Sequence, residues 1–175
     1  MSSFAVTIVG CGEHSRKVTY AVMSAGGIVT RFLDESPGAQ APLAGVEVGA
    51  LWDARVYPME RVIVAIGNGS ARRRIALKLL DSGCNLTTVI HPFAYVAPDA
   101  VLNRGAVVLA GAIVESRASI GEGAIIDVGA IIDHDASVSA FVHVRPGQII
   151  AAHGLWPTNS DGADDDVSAF GVGSR

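Results

Sequence analysis

The sequence predicts a chain in two parts, a small Rossmann-like α/β domain followed by a β-helix of hexapeptide repeats. Two observations carry this prediction: the first half of the 175 residues alternates strand-like and helix-like segments, and the second half repeats with a period of six. Half of the residues are apolar, 17% are charged and the formal net charge is −4, so a folded core is expected and global disorder is excluded.

The first half has the alternation of a parallel sheet with crossover helices. Strands are predicted over 4–9, 28–33, 61–66 and 86–90, and helices over 14–24 and 71–81. Ser70 is the predicted N-cap of the second helix. About four strands are too few for a full dinucleotide-binding domain, so a small Rossmann-like domain is expected.

The second half repeats every six residues from Val96 onward. The first position is a branched aliphatic residue in ten consecutive hexads, the fifth is alanine in the first seven, and the fourth is glycine in five. This period matches neither an α-helix nor a single strand and predicts a β-helix, in which three hexads form one coil of a triangular prism. Ten hexads predict roughly three coils.

Three segments are therefore expected: a Rossmann-like domain over 1–92, a β-helix over 93–155 and an irregular acidic tail over 156–175. Cys11 and Cys84 fit neither a metal spacing nor a disulfide framework, which predicts reduced thiols. A basic signal sequence is absent from the N-terminus, and the longest apolar run, 106–114, is far shorter than a membrane span. We expect a cytoplasmic protein, and its acidic charge gives no reason to expect nucleic acid as a partner.

Five local motifs follow one another along the chain. They are Gly10-Cys11-Gly12-Glu13-His14-Ser15-Arg16-Lys17-Val18, Phe32-Leu33-Asp34-Glu35, Ala65-Ile66-Gly67-Asn68, Ile90-His91-Pro92 and Ile132-Asp133-His134-Asp135. Together with the hexads they resemble the bacterial sugar acyltransferases, which include sialic acid O-acetyltransferases and N-acetyltransferases of nucleotide-linked 4-amino sugars used in surface glycans. The resemblance implies a left-handed β-helix, acetyl-CoA as co-substrate without a metal, and a homotrimer with each active site between neighbouring subunits.

The resemblance also implies a nucleotide-sugar site at one edge of the first domain. The candidate substrate-binding residues are Gly10, Gly12, His14, Asp34, Glu35, Gly67, Asn68 and Asp127. A glycine turn between a strand and a helix exposes backbone N–H groups that suit a pyrophosphate. A carboxylate at the end of the second strand suits a ribose or a uracil edge, so a UDP-sugar is favoured.

In the resembling enzymes, a histidine followed by an acidic residue is the general base, and His134 with Asp135 match that pair. A neutral imidazole removes the proton of an attacking amine or hydroxyl, and a neighbouring carboxylate fixes its tautomer. His143 matches a second histidine, near the acetyl-CoA site. We assign no role to His153, and we expect Arg72-Arg73-Arg74 to form a solvated helix face.

Several alternatives remain open. The acceptor group could be a hydroxyl instead of an amine. Because the resembling enzymes continue the β-helix for several more coils, a second hypothesis is a shortened, weak or inactive relative that binds a nucleotide sugar or acts as a scaffold. A third, a nicotinamide oxidoreductase, is suggested by Gly10-x-Gly12 but lacks the third glycine in register. Cys11 suggests covalent catalysis, but it lies in the nucleotide half, away from the hexads.

Overall fold

The computed structural model describes residues 3–36, 38–51 and 61–156. The first part contains strands β1 Phe4–Val9, β2 Gly27–Asp34, β3 Val48–Ala50, β4 Arg61–Val64 and β5 Asn85–Leu86, and helices α1 Glu13–Ser24 and α2 Gly69–Asp81. The strands form one parallel sheet in the order β3-β2-β1-β4-β5. This confirms the Rossmann-like α/β prediction, with one strand more than the sequence pattern indicated.

Helix α2 begins two residues earlier than predicted. Its N-cap is Asn68, not Ser70, because the Asn68 side chain accepts a hydrogen bond of 2.9 Å from the backbone N–H of Ala71. An asparagine in this position satisfies one of the free N–H groups of the first turn.

Up to residue 156, where the described part of the chain ends, the second part is a prism of twelve two-residue strands, numbered β6 to β17 in chain order. They are Val89–Ile90, Tyr95–Val96, Val101–Leu102, Val107–Val108, Ile113–Val114, Ser119–Ile120, Ile125–Ile126, Ile131–Ile132, Ser137–Val138, His143–Val144, Ile149–Ile150 and Leu155–Trp156. They form three parallel sheets of four, β15-β12-β9-β6, β16-β13-β10-β7 and β17-β14-β11-β8. The β-helix prediction is confirmed, with four strands on each face where roughly three coils were expected.

Both ends of the prism lie beyond the aliphatic hexads. The predicted strand over 86–90 is two strands, because Leu86 pairs in the first sheet while Val89 and Ile90 pair with β9. The prism therefore starts before the predicted boundary at 92. Trp156 pairs with Val138 in β17 and belongs to the prism, although its aromatic side chain departs from the aliphatic pattern. The remaining predicted tail, 157–175, lies outside the described residues.

The hexad positions have direct structural reasons. The aliphatic first positions and the alanines at the fifth positions form one buried cluster inside the prism. The fourth positions lie at the corners, where the backbone takes positive φ values that glycine tolerates, as at Gly105, Gly111, Gly123, Gly129 and Gly147.

The two parts pack against each other through one face of the prism. Val107 and Ile125, on strands β9 and β12, are buried in the same cluster as Val18 and Ala21 of α1. The sheet β15-β12-β9-β6 is thus covered by the first domain, which leaves the other two faces of the prism for other contacts. Among the described residues, no helix is long and apolar enough to cross a membrane.

Candidate active site

The glycine turn after β1 is shaped by close packing. Gly10 has a φ of 103°, and a Cβ atom there would lie 2.9 Å from Ile66 Cγ1 and 3.2 Å from the Ala65 carbonyl oxygen, so only glycine fits. A Cβ atom on Gly12 would meet nothing within 4 Å, so the space above the turn is open. The turn therefore presents backbone at the sheet edge where the sequence predicts the nucleotide.

Asp34 holds this turn in place. Its carboxylate accepts hydrogen bonds of 2.7 Å from the backbone N–H groups of Cys11 and Ser36. Burial, together with the charge and hydrogen bond of Asp34, raises the pKa of the Cys11 thiol to about 11. The thiol is therefore protonated near neutral pH and is a poor nucleophile, which argues against covalent catalysis by Cys11.

A crevice opens at the same edge of the sheet. Its lining residues are Val9, Gly10, Asp34, Glu35, Ser36, Leu51, Ile66 and Ile75. Glu35 also accepts two hydrogen bonds from Arg74, of 2.8 and 2.5 Å, at an exposed position. Asn68 caps α2, and neither it nor Gly67 lines the crevice.

A polar cluster joins the first domain to the prism. Lys17 of α1 contacts both carboxylate oxygens of Asp127, at 3.0 and 3.1 Å, and Asp127 also contacts His143 Nε2 at 2.9 Å. The Asp127 side chain is only 2% exposed. Burial opposes its ionisation, but hydrogen bonds from His143, the Val128 N–H and Lys17 outweigh burial and hold the pKa of Asp127 well below its usual range.

His14 completes this cluster. Its ring lies 5.2 Å from the ring of His143, between centroids, and its Nε2 is buried without a hydrogen-bond partner among the described residues. Burial, and next the neighbouring His143, lowers the pKa of His14 to about 4. His14 is therefore neutral at pH 7, and its Nε2 is a buried polar nitrogen whose hydrogen bonding the described residues do not satisfy.

His134 lies in the turn between β13 and β14, at a different corner of the prism from Asp127. Its Nδ1 is 2.8 Å from Asp135 Oδ2, and its side chain is 49% exposed. Arg117 donates to both oxygens of Asp135, at 2.6 and 2.7 Å. Hydrogen bonds from Arg117 and His134 hold the pKa of the Asp135 carboxyl well below its usual range. An ionised carboxylate thus faces Nδ1 and leaves Nε2 as the basic nitrogen.

The structure brings the predicted residues together in three places. Gly10, Asp34 and Glu35 border the crevice; His14, Asp127 and His143 form the interdomain cluster; His134 and Asp135 form the exposed corner. Within one chain, His143 thus lies with Asp127 and not at the corner of His134.

Sequence reasoning missed four residues and misassigned one of them. Lys17, Arg117 and His153 contact the predicted site residues directly. Arg72, expected on a solvated helix face, is only 1% exposed, while Arg73 and Arg74 are exposed as predicted. A spacing signal existed for two of the four, because Arg117 and His153 lie 18 residues, or three hexads, on either side of Asp135.

Within the part of the chain that the structure describes, two groups of side chains have donors close enough to hold a metal ion: His14 with Asp127 and His143, and His134 with Asp135 and His153. In each group a cation of the chain already occupies the carboxylate, Lys17 in the first and Arg117 in the second. These charges compete with a metal ion, so the arrangement suits proton transfer better than metal binding.

A Rossmann-like domain packed on a hexapeptide β-helix, with an exposed His–Asp pair at one corner, defines the class of β-helix acyltransferases. The protein-family model described as the PglD N-terminal domain matches residues 5–79 of this chain. The comparison with curated proteins found no match.

Three solved structures indicate which acyltransferases this chain is similar to. A histidine-to-asparagine variant of perosamine N-acetyltransferase from Caulobacter crescentus, in complex with CoA and GDP-perosamine, is 30% identical with a TM-score of 0.79, over 86% of this chain and 73% of that chain. PerB from the same organism, also with CoA and GDP-perosamine, is 34% identical with a TM-score of 0.75, over 83% and 70%. The acetyltransferase domain of PglB from Neisseria gonorrhoeae, in complex with acetyl coenzyme A, is 28% identical with a TM-score of 0.78, over 88% and 76%.

The chain therefore belongs to the nucleotide amino-sugar acetyltransferase family, and it is an acyltransferase. The resemblance carried by the five motifs and the hexads is confirmed.

Proposed function

We propose that this protein transfers the acetyl group of acetyl-CoA to the amino group of a nucleotide-linked amino sugar. The observation that carries the proposal is the exposed His134–Asp135 pair on a β-helix whose solved relatives contain CoA or acetyl coenzyme A. The relatives' amino-sugar complexes favour an amine over a hydroxyl as the acceptor.

His134 is the general base in this proposal. Its Nε2 removes a proton from the sugar amine as the nitrogen attacks the thioester carbonyl. The carbon–sulfur bond then breaks, and the CoA thiolate takes up a proton. Asp135 accepts from Nδ1–H throughout, which stabilises the imidazolium, and Arg117 holds Asp135 in place.

The nucleotide site is proposed at the crevice beside Gly10 and Asp34. The relatives' complexes contain GDP-perosamine. We propose a uridine nucleotide here, because Asp34 lies at the rim of the crevice, at the end of β2, where a carboxylate suits a ribose or a uracil edge. Acetyl-CoA is an intracellular thioester and the two cysteines fit no disulfide framework in their spacing, so we place the reaction in the cytoplasm.

A homotrimer completes the proposed site. We define the apolar face of the prism by Tyr95, Ile113, Ile131 and Ile149, which are paired side by side on sheet β16-β13-β10-β7. Tyr95 is 52% and Ile149 63% exposed. The corresponding ladder on sheet β17-β14-β11-β8 has Ser119 and Ser137 at its centre, between the exposed Val101 and Leu155, and the third face is covered by α1.

An exposed ladder of large apolar side chains favours burial against another copy of the same chain. The apolar face is bordered by the turn that contains Asp127 and by the turn that contains His134. Packing of three apolar faces around a threefold axis would bring His134 of one subunit close to the Asp127 turn and the sugar-binding domain of the next. The two halves of the proposed site, separated within one chain, would meet in this way.

The decisive experiment is a coupled assay for free CoA with acetyl-CoA and a panel of UDP- and GDP-linked amino sugars. Release of CoA that depends on the amino sugar supports the proposal, and mass spectrometry of the product locates the acetyl group on nitrogen or oxygen. Calorimetry with UDP, GDP and NAD ranks the nucleotides. Nucleotide-sugar binding without CoA release from any acceptor would favour the binding or scaffold alternative.

A further inference from the structure

One corner of the prism differs from the others in its turn residues. The corner that follows sheet β16-β13-β10-β7 has Arg117, Asp135 and His153 in the left-handed region, with φ values of 57°, 59° and 57°. The corner that precedes this sheet has Gly111, Gly129 and Gly147 in the same role. Non-glycine residues in this conformation are uncommon and strained.

The three side chains form a column, one coil apart, around His134. Arg117 is bonded to Asp135, and Asp135 to His134 Nδ1. The ring of His153 packs edge-on against the ring of His134, with centroids 5.3 Å apart and planes at 89°. Two imidazoles thus lie side by side at the corner that carries the proposed general base.

The separation of the polar atoms suits a water bridge. A ring nitrogen of His153 lies within 4.8 Å of a ring nitrogen of His134 and of an Asp135 oxygen. Two hydrogen bonds of about 2.8 Å through one water molecule span up to about 5 Å, so a bridge between these atoms needs at most one water molecule. His153 is exposed, so a proton that reaches it can pass to bulk solvent.

The chemistry of amine acetylation creates a need for such a path. An ammonium sugar and acetyl-CoA give an amide, free CoA and one proton. Two N–H bonds of the ammonium break, the N–C bond forms, the C–S bond breaks, and the thiolate takes up one of the two protons. The other proton must leave the site before His134 can act as a base in the attack.

We propose that His153 is a proton-relay residue, which accepts through one water the first proton that His134 removes from the sugar ammonium and releases it to solvent. The inference rests on the proposed function, because it assigns a role beside the base of that reaction. The charged groups around the pair are Asp133, which accepts from the His134 backbone N–H, Asp135 and Arg117.

The test compares three replacements of His153. His153→Asn removes the imidazole and tolerates the left-handed backbone, and His153→Gly removes both the ring and the strain. His153→Phe keeps a ring beside His134, and Phe141 shows that phenylalanine is accommodated in this conformation, with a φ of 61°. All three should lower kcat about 10-fold with the KM for the nucleotide sugar unchanged. Added imidazole should restore His153→Asn and His153→Gly.

Full activity of His153→Phe would overturn the relay and assign His153 a packing role, as would failure of imidazole to restore His153→Asn. A second readout needs no substrate: nitrogen-15 spectra of the rings should show two inflections in the pH titration of His134 in the parent and one in His153→Asn. A single inflection in the parent would overturn the coupling of the two rings. Absence of CoA release from the parent, with two inflections present, would instead count against the proposed function.

Discussion

Arg72 of α2 donates a hydrogen bond of 2.7 Å from its Nε to the carbonyl oxygen of Gly123 in the β-helix. The Arg72 residue is only 1% exposed, so this bond is buried. The same guanidinium donates to the carbonyl oxygens of Ile66, Gly67 and Phe141, at 2.6, 2.8 and 2.5 Å. A buried charge is costly unless hydrogen bonds surround it. Arg72 therefore fixes the strand end beside the crevice to the prism.

Replacement of Arg72 should strongly destabilise the protein. Arg72→Lys keeps the charge but cannot reach carbonyl groups on both domains, because an ammonium lacks the planar fork of guanidinium. We expect the free energy of unfolding to fall by about 3 kcal/mol in urea titrations. Arg73→Lys, at the exposed neighbouring position, is the matched control and should unfold like the parent. Equal unfolding midpoints for Arg72→Lys and Arg73→Lys would contradict the role of Arg72 in joining the first domain to the prism.

His14 should make stability depend on pH. Its folded pKa of about 4 lies below the ordinary value of 6.5, so between these values the unfolded chain binds a proton that the folded chain does not. Stability should therefore fall as the pH drops from about 6.5 to 4, by about 3 kcal/mol in total. Urea midpoints measured across this range for the parent and for His14→Gln test this, because the variant should lose most of the dependence. His91→Gln, at a partly buried histidine outside the cluster, should show the same pH dependence of stability as the parent.

The apolar face should hold the subunits together. Ile131→Glu places a charge in the middle of that face and should convert the proposed homotrimer to monomers in light scattering, with loss of CoA release although His134 is intact. Ser119→Glu, on the neighbouring serine-containing ladder, should leave the trimer unchanged. A parent protein that is monomeric at micromolar concentration would count against both the assembly and a site shared between subunits.

His134→Ala should lower kcat by roughly 10²–10⁴-fold, the usual range for a general base. Nucleotide-sugar affinity, measured by calorimetry, should stay nearly constant because the crevice lies in the other domain. Asp135→Asn should have a smaller effect, since it removes the charge that orients the imidazole but not the base itself. If His134→Ala acetylates as fast as the parent, the proposed mechanism is wrong.

His143→Ala should act mainly on acetyl-CoA. The imidazole supports the buried Asp127 carboxylate at 2.9 Å, so its loss should disturb that turn. Because the family resemblance places a matching histidine near the acetyl-CoA site, we expect a higher KM for acetyl-CoA, by about 10-fold, with less change in kcat. Initial rates at varied acetyl-CoA are the measurement. A change confined to kcat would place His143 in the chemical step instead.

The sequence alone was enough to predict the prism and the edge of the first sheet. The aliphatic residue at each first hexad position, such as Val114 or Ile132, has one environment only, the interior of the prism. The alternation of strand-like and helix-like segments also locates the strand ends, such as Gly10 and Asp34. These features depend on residues near each other in the chain, where a local pattern specifies a local structure.

Only the tertiary structure shows which distant residues contact each side chain. Arg72 and Arg73 are adjacent in sequence, yet one is buried among carbonyls and the other is exposed, because α2 turns only one side toward the prism. His153 lies beside His134 because one coil of the prism returns the chain to the same corner after three hexads. The open apolar face became evident once α1 was seen to cover a different one. Such contacts join residues far apart in sequence, so a local sequence pattern does not predict them.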